Sequence, residues 1–322
     1  MGDHRLDELE RESRMGATGR VAAREIPVID LTDLDARRDE VTDQLWAAAT
    51  EVGFFQLAGH GIDAGLVDGA FEHAAAFFAL PSDRKASWPL DRRRNAGWES
   101  RSQVRPSTGT ADEKESYQIT RSVMDSLWPG DEELPGFRTT MEALEQASWT
   151  VAMRVLSCFA DRLGMDRDAF TVAHDPSSPA YQSTLRLLRY PAPQPDAAAG
   201  SWWAGAHTDF DCLTLLFQRD GQSGLQVCPG SERDSGVWTL VSPDPSLVTC
   251  NIGDMLMRWS DDRLLSTLHR VESPGPDAPA VDRYSIAFFA QANRDVVIEG
   301  PGGTYPPITA AAYLAQRVAA NY

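Results

Sequence analysis

Leu185-Arg186-Leu187-Leu188-Arg189-Tyr190 opens the part of the chain that decides the fold. It is a short, β-prone run, and others like it follow at 213–217, 225–227, 237–241, 247–251, 267–272 and 284–290, separated by turn residues. Many short strands at this spacing predict a sandwich or jelly roll. Upstream the texture differs. Val41, Leu45, Trp46, Ala49 and Val52 recur at threes and fours, as do Leu66, Val67, Phe71, Ala74, Phe77 and Phe78. Asp63 is placed to cap the second of these helices and Leu80-Pro81 to stop it. The longest helical pattern covers 137–163, with Gly164 positioned at its end and a short helix after Asp166. Strands are expected at Ile26 to Asp30 and Phe54 to Leu57. From about Pro89 to Gly136 no period is sustained, which predicts long loops with short strands near Trp98-Glu99 and Ser116 to Ile119.

The fold class expected is therefore mixed α and β, with a jelly-roll core flanked by helices. Residues 1–25 are expected to be a flexible tail, 26–180 a helix-rich N-terminal region, 181–300 the jelly-roll catalytic core and 301–322 a C-terminal helix. Residues 26–322 would form one compact unit. Among 322 residues, 42% are hydrophobic, which is ample for a core. The net charge of -17 argues against nucleic-acid binding, which needs a basic stripe to displace counterions. Small anionic substrates stay open, because a cationic pocket can sit inside an acidic shell. Cys158, Cys212, Cys228 and Cys250 show no C-x-x-C pairing and read as reduced thiols in or near the core. No apolar run is long enough to span a bilayer, and the polar N-terminus lacks a signal-peptide core. A cytoplasmic location without membrane contact is expected, and the sequence leaves the oligomeric state open.

His207-Thr208-Asp209 puts an imidazole and a carboxylate on the same side of an extended segment, since side chains alternate with period two. Taken alone, such a pair more often makes a surface hydrogen bond than a metal site. After His207 the chain offers only one further histidine, His269. Two His and one carboxylate leave coordination positions open and suit Fe(II) oxygenase chemistry, and they fall short of the shell of a structural zinc. Arg283-Tyr284-Ser285, fourteen positions beyond His269, adds a guanidinium fork and a hydroxyl on one face. An alternative for Arg283 is a surface charge paired with Asp282 or Glu272. A metal site beside a carboxylate anchor is what a 2-keto dicarboxylate requires: the keto-acid end meets iron and the far carboxylate meets Arg283.

At this point the sequence resembles the plant-type 2-oxoglutarate/Fe(II) dioxygenases, which share the isopenicillin N synthase fold. The resemblance rests on Ile26-Pro27-Val28-Ile29-Asp30-Leu31, Gly53-Phe54-Phe55, Gly59-His60-Gly61-Ile62, Arg189-Tyr190-Pro191 and Ala206-His207-Thr208-Asp209. It continues through Gly224-Leu225-Gln226-Val227, Asn251 to Leu256, Ser266 to Val271 and Arg283-Tyr284-Ser285, so it covers nearly everything after residue 25. The resemblance implies a double-stranded β-helix with iron at its mouth, held by His207, Asp209 and His269. It further implies that Arg283 and Ser285 hold the 5-carboxylate of 2-oxoglutarate, with Tyr190 beside them. Many plant members carry Asn two residues before that Tyr, where this chain has Leu188. The implied reaction is O2-dependent hydroxylation of a small organic substrate, with desaturation or cyclisation as variants. Asp209 disfavours halogenation, because related halogenases replace this carboxylate with a small residue.

Candidate substrate contacts are Trp98, Tyr117, Phe210, Trp259 and Phe289, with Glu115 or Arg186 available to a polar group. Each aromatic could equally belong to the core. His60 and Asp254 read as structural, His174 as a loop residue, and Trp202 and Trp203 as core or pocket wall. Two other functions compete: a same-fold Fe(II) oxidase that does not use 2-oxoglutarate, and a non-catalytic 2-oxoglutarate-binding protein. Succinate release separates both from the reading preferred here.

Overall fold

Alternation along Arg283–Ala290 sets the architecture. Arg283, Ser285, Ala287 and Phe289 face a cavity, while Ile286 and Phe288 enter a core of helical side chains. In the computed structural model, residues 7–16, 18–102, 111–192, 202–273 and 281–321 are described. The elements run α1 (Asp7–Met15), β1 (Arg20–Ala22), β2 (Val28–Asp30), α2 (Arg38–Glu51), β3 (Phe54–Ala58), α3 (Ala64–Ala79), α4 (Ser82–Lys85), β4 (Gly97–Ser100), β5 (Glu115–Ile119), α5 (Phe137–Leu163) and α6 (Ala169–Ala173). They continue with β6 (Thr184–Tyr190), β7 (Trp202–His207), β8 (Leu213–Gln218), β9 (Leu225–Val227), β10 (Val237–Leu240), β11 (Val248–Ile252), α7 (Asp254–Trp259), β12 (His269–Glu272), β13 (Arg283–Ala290), β14 (Val297–Ile298), β15 (Ile308–Thr309) and α8 (Ala310–Asn321).

The larger sheet has the order β2-β3-β11-β8-β13-β6-β5-β4, and the smaller one β1-β10-β9-β12-β7. Both sheets contribute side chains to the cavity, and together they make the double-stranded β-helix. Behind the larger sheet lie α2, α3 and α5, whose Val41, Leu45, Phe71, Phe77, Leu144 and Val155 meet Leu185, Leu187, Leu213 and Leu215 in one core. Each such side chain contributes roughly 1.5–3 kcal/mol by leaving water. Helix α3 starts at the expected cap, with Asp63 Oδ1 accepting from the Leu66 amide at 2.9 Å. Gly164 closes α5 at a φ of 72°, a left-handed conformation that glycine adopts without a Cβ clash.

One expectation is corrected here. Where a flexible tail was expected, the described residues form α1 and β1, and β1 pairs in parallel with β10. Residues 1–6 and 17 lie outside the described residues. Met15 is buried with Ala206, Cys228, Trp238 and Leu268, and Arg270 Nη1 donates to the Gly16 and Thr18 carbonyls at 2.9 and 2.8 Å. The segment carries few apolar residues, so composition alone hides a docking site that depends on backbone carbonyls and one methionine. His174 lies in a turn directly after α6, as expected. It is fully buried, with Nδ1 2.7 Å from the Phe170 carbonyl, and burial lowers its pKa to about 4. All four cysteines are free and buried, as expected. Among the described residues no helix is long and apolar enough to cross a membrane.

Candidate active site

The register of β12 on β7 sets His269 opposite His207, and their ring centroids stand 4.3 Å apart. Strand β7 ends at His207, so Asp209 lies just past it, and its Oδ1 comes within 3.8 Å of His269 Nε2. One potential ligand atom from each of the three residues lies within 4.8 Å of the others. Both imidazoles turn Nδ1 back to their own chain, at 2.8 Å from the Gly205 carbonyl and 3.3 Å from that of Thr267. A carbonyl only accepts, so these contacts place the proton on Nδ1 and the lone pair on Nε2. Asp209 is oriented in the same way: its Oδ2 accepts from Thr214 Oγ1 at 2.6 Å and Asn251 Nδ2 at 2.8 Å, leaving Oδ1 to the cluster. The set can hold a divalent metal with open positions, and the outer hydrogen bonds fix its ligands before any ion arrives.

A buried network braces this cluster. Thr208, between the two ligand candidates, donates to Asp254 Oδ2 at 2.9 Å, and Arg317 of α8 pairs with the same carboxylate. Burial pushes the Asp254 carboxyl up, against the pull of Arg317 and its hydrogen bonds. Asp211 is raised further by burial and by neighbouring Asp209. The sequence reading assigned Asp254 a local turn role, but its main partner is 63 residues away on α8, a contact no local pattern reveals.

Arg283 is 3% exposed, and burial lowers its pKa. Its Nε donates to the Gln222 carbonyl at 3.2 Å and its guanidinium stands 4.9 Å from the Tyr190 ring. Its Nη1 has no hydrogen-bond partner among the described residues. A buried guanidinium N–H left unpaired costs roughly 1–3 kcal/mol. With Ser285 beside it on β13 and Tyr190 opposite it on β6, this donor set fits a carboxylate. The cavity that joins Arg283 to the three ligand candidates measures about 640 Å³, within the usual range for small-molecule sites.

Of the expected substrate contacts, Phe210 and Phe289 line this cavity and three others do not. Tyr117 is fully buried among Phe77 and Phe137, and its hydroxyl donates to the Leu127 carbonyl. Trp259 packs edge-on against Phe170 at 5.1 Å in the helical core. Trp98 donates from Nε1 to Glu115 Oε2 at 3.1 Å, in a cluster with Lys85 and Arg189. That cluster also removes Glu115 from the cavity, whereas Arg186 lines it. Trp203 packs on Tyr190 and Trp202 lies under Arg270, so neither belongs to the pocket wall. His60 accepts at Nδ1 from the Ile62 amide at 3.1 Å, a structural role. The sequence reading missed Arg93, Asn95, Gln291 and Arg294, together with Leu314 and Val318 of α8. The period of α8 was visible as a helix, but nothing local told which face meets ligand space.

Comparison with known proteins agrees with this geometry. Residues 26–135 match the family model for the non-haem dioxygenase in morphine synthesis N-terminal domain, and residues 181–292 that of the 2OG-Fe(II) oxygenase superfamily. The proline hydroxylase buaE of Petromyces alliaceus is 31% identical over 291 residues, 85% of this chain and 89% of the relative. The 2-oxoglutarate-dependent dioxygenase citB of Monascus ruber is 35% identical over 300 residues, 84% and 85% of the two chains. A Neurospora crassa protein solved in complex with α-ketoglutarate and thymine superposes with a TM-score of 0.80 at 30% identity, covering 92% of this chain and 97% of that one. The chain belongs to the 2-oxoglutarate/Fe(II)-dependent dioxygenases. It is accordingly an oxidoreductase that uses Fe(II), 2-oxoglutarate and O2.

Proposed function

We propose that His207, Asp209 and His269 hold the Fe(II), and that Arg283 and Ser285, with Tyr190, hold the 5-carboxylate of 2-oxoglutarate. The observation that carries this reading is the orphaned Nη1 of Arg283, a buried cationic donor facing the same cavity as the three metal-ligand candidates. When bound, Fe(II) activates O2 and 2-oxoglutarate supplies two electrons as it is decarboxylated to succinate and CO2. The chain's own residues do the remaining work. Thr214 and Asn251 hold the Asp209 carboxylate, the Gly205 and Thr267 carbonyls hold the two imidazoles, and Phe54 packs edge-on against His269 at 5.4 Å. The cavity suits a small organic molecule, with Phe210 and Phe289 against its body and hydroxylation as the outcome. Relatives named for, or solved with, small molecules such as proline and thymine support that substrate size. The test is succinate release across a panel of small molecules, with Asp209→Ala as the blank. Substrate-dependent succinate that vanishes in the blank is expected. Oxygen uptake with substrate and no succinate would overturn the co-substrate assignment.

A further inference from the structure

The cavity has a second cationic end. The register pairs Arg283 with Tyr190, and four residues further along β13 it pairs Ala287 with Arg186. That step is about 13 Å at roughly 3.3 Å per residue. In the proposed function the far end of a dicarboxylate held at Arg283 goes to the Fe(II) site, which leaves Arg186, on the wall beyond, to a different ligand.

The Arg186 guanidinium sits 5.1 Å from the ring of Phe289, and its Nε is buried without a hydrogen-bond partner among the described residues. Glu99 is its charged neighbour, but the oxygens of that carboxylate already accept from Gln118, Ser116 and Ser102. The field of Arg186, with those hydrogen bonds and Lys114, holds Glu99 below the usual carboxylate range despite its burial. Glu99 therefore neutralises part of the charge of Arg186 without supplying an acceptor to its Nε. Two residues beyond Phe289, Gln291 is 6% exposed with its Oε1 also unpartnered, a further polar atom in the same wall.

The charge count around this end leans the same way. Lys114 is paired with Asp112 and Arg94 with Asp125, whereas Arg93 and Arg294 line the cavity with no ion pair among the described residues. In a chain of net charge -17, a cavity with this excess of guanidinium groups selects by sign.

We infer that the substrate is a small organic acid, whose carboxylate is taken by Arg186 with Arg93 and Arg294 setting the sign at that end. Its apolar or aromatic body lies against Phe289 and Phe210. A planar fork stacked on an aromatic ring is preorganised for a carboxylate, which fills both donors at once. This inference rests on the proposed function, and its test is arranged to tell the two apart.

Isothermal titration of the iron-loaded, 2-oxoglutarate-saturated protein without oxygen would use benzoate, phenylacetate and phenylpropionate, each beside its amide and the corresponding amine. At least one acid is expected to bind about tenfold or more tightly than its amide, the yield of one charge-assisted hydrogen bond. The amine should bind weakest. Arg186→Gln should abolish the preference for acid over amide, and Arg186→Lys, which keeps the charge, should retain part of it and guards against misfolding of the first variant. Amide or amine binding as tightly as acid overturns the inference, as does an undiminished preference in Arg186→Gln, or no acid binding at millimolar concentration. Binding of 2-oxoglutarate is titrated first in the same samples. Its failure would sink the proposed function, whereas intact 2-oxoglutarate binding without acid preference sinks this inference alone.

Discussion

On the wall of the cavity built from β13, every second residue faces ligand space, whereas on the wall contributed by 92–95 and α8 the lining follows other rules. Arg92 to Asn95 are consecutive, and residues 311, 314, 315, 318 and 319 form a helical stripe. The opposite face of α8 is fastened down by Tyr313 and by Arg317, which reaches Asp254 behind the three ligand candidates. Strand pleating fixes which side chains meet the ligand as soon as the register is known. Loop and helix surfaces can change their lining without disturbing that register. On the proposed assignment the strand wall holds the groups that the shared reaction demands, and the loop-and-helix wall is free to decide what is oxidised.

The largest expected effect breaks the strand wall at its centre. Asp209→Ala should lower iron affinity by more than about 100-fold, since loss of an outer hydrogen-bond partner alone often costs 10- to 100-fold. Metal content after dialysis and succinate release both check this. The helical core does not depend on Asp209, so far-ultraviolet circular dichroism should stay unchanged. Retained iron and activity would remove Asp209 from the ligand set.

The complementary break lies in the helical shell. His174 is fully buried and neutral, with a folded pKa of about 4 against 6.5 for the free side chain. Between these values the unfolded chain binds the extra proton. The contribution is therefore complete above about pH 6.5 and is lost as pH falls toward 4, a total of about 3 kcal/mol. Urea melts across this range should show the decline, and His174→Asn should flatten that part of it. A slope unchanged in the variant would refute the assignment. Here pH acts on the scaffold, through a side chain that does not line the cavity.

Much of the strand wall was legible in sequence and little of the other wall was. His207, Asp209, His269, Arg283 and Ser285 are brought to one cavity as expected, because period-two alternation and the order of short strands carry that information. Helix α5 spans 137–163 as its apolar period predicts, since buried positions at threes and fours leave few alternatives. Aromatic side chains were the weak point. Tyr117 and Phe289 both sit on strands of the larger sheet, yet one faces the helices and the other the cavity, and composition is identical for either. The docking of 7–16 and 18–22 was hidden for a related reason: Arg270, held between Trp202 and Trp238 at 4.1 and 3.8 Å, binds backbone carbonyls, which every sequence has.

Arg283→Leu sharpens the contrast between groups kept for ligand and groups kept for fold. The charge is buried with an unmet donor, so its removal should leave the melting temperature of the ligand-free protein unchanged or raise it. Affinity for 2-oxoglutarate should fall by roughly 1.5–3 kcal/mol, the worth of a hydrogen bond to a charged group. The stabilisation that a fixed concentration of 2-oxoglutarate confers should shrink by up to the same amount. Melts with and without the co-substrate read both effects. A variant that is destabilised without ligand yet still stabilised to the full extent by 2-oxoglutarate would make Arg283 a structural residue.

The smallest effect separates the two aromatic residues that sequence could not. Tyr117→Phe deletes a hydroxyl whose acceptor, the Leu127 carbonyl, stays buried behind it, so the loss should be about 1 kcal/mol. In a chain of this size that is a fall of about 2 °C in Tm, and the KM for any substrate found should not move. Phe289→Leu inverts the pattern. It keeps an apolar residue on the strand but removes the ring beneath Arg186, so KM should rise with little change in Tm. If Tyr117→Phe shifted KM and Phe289→Leu did not, the division between strand-borne ligand face and helix-facing core would be drawn on the wrong side of the sheet.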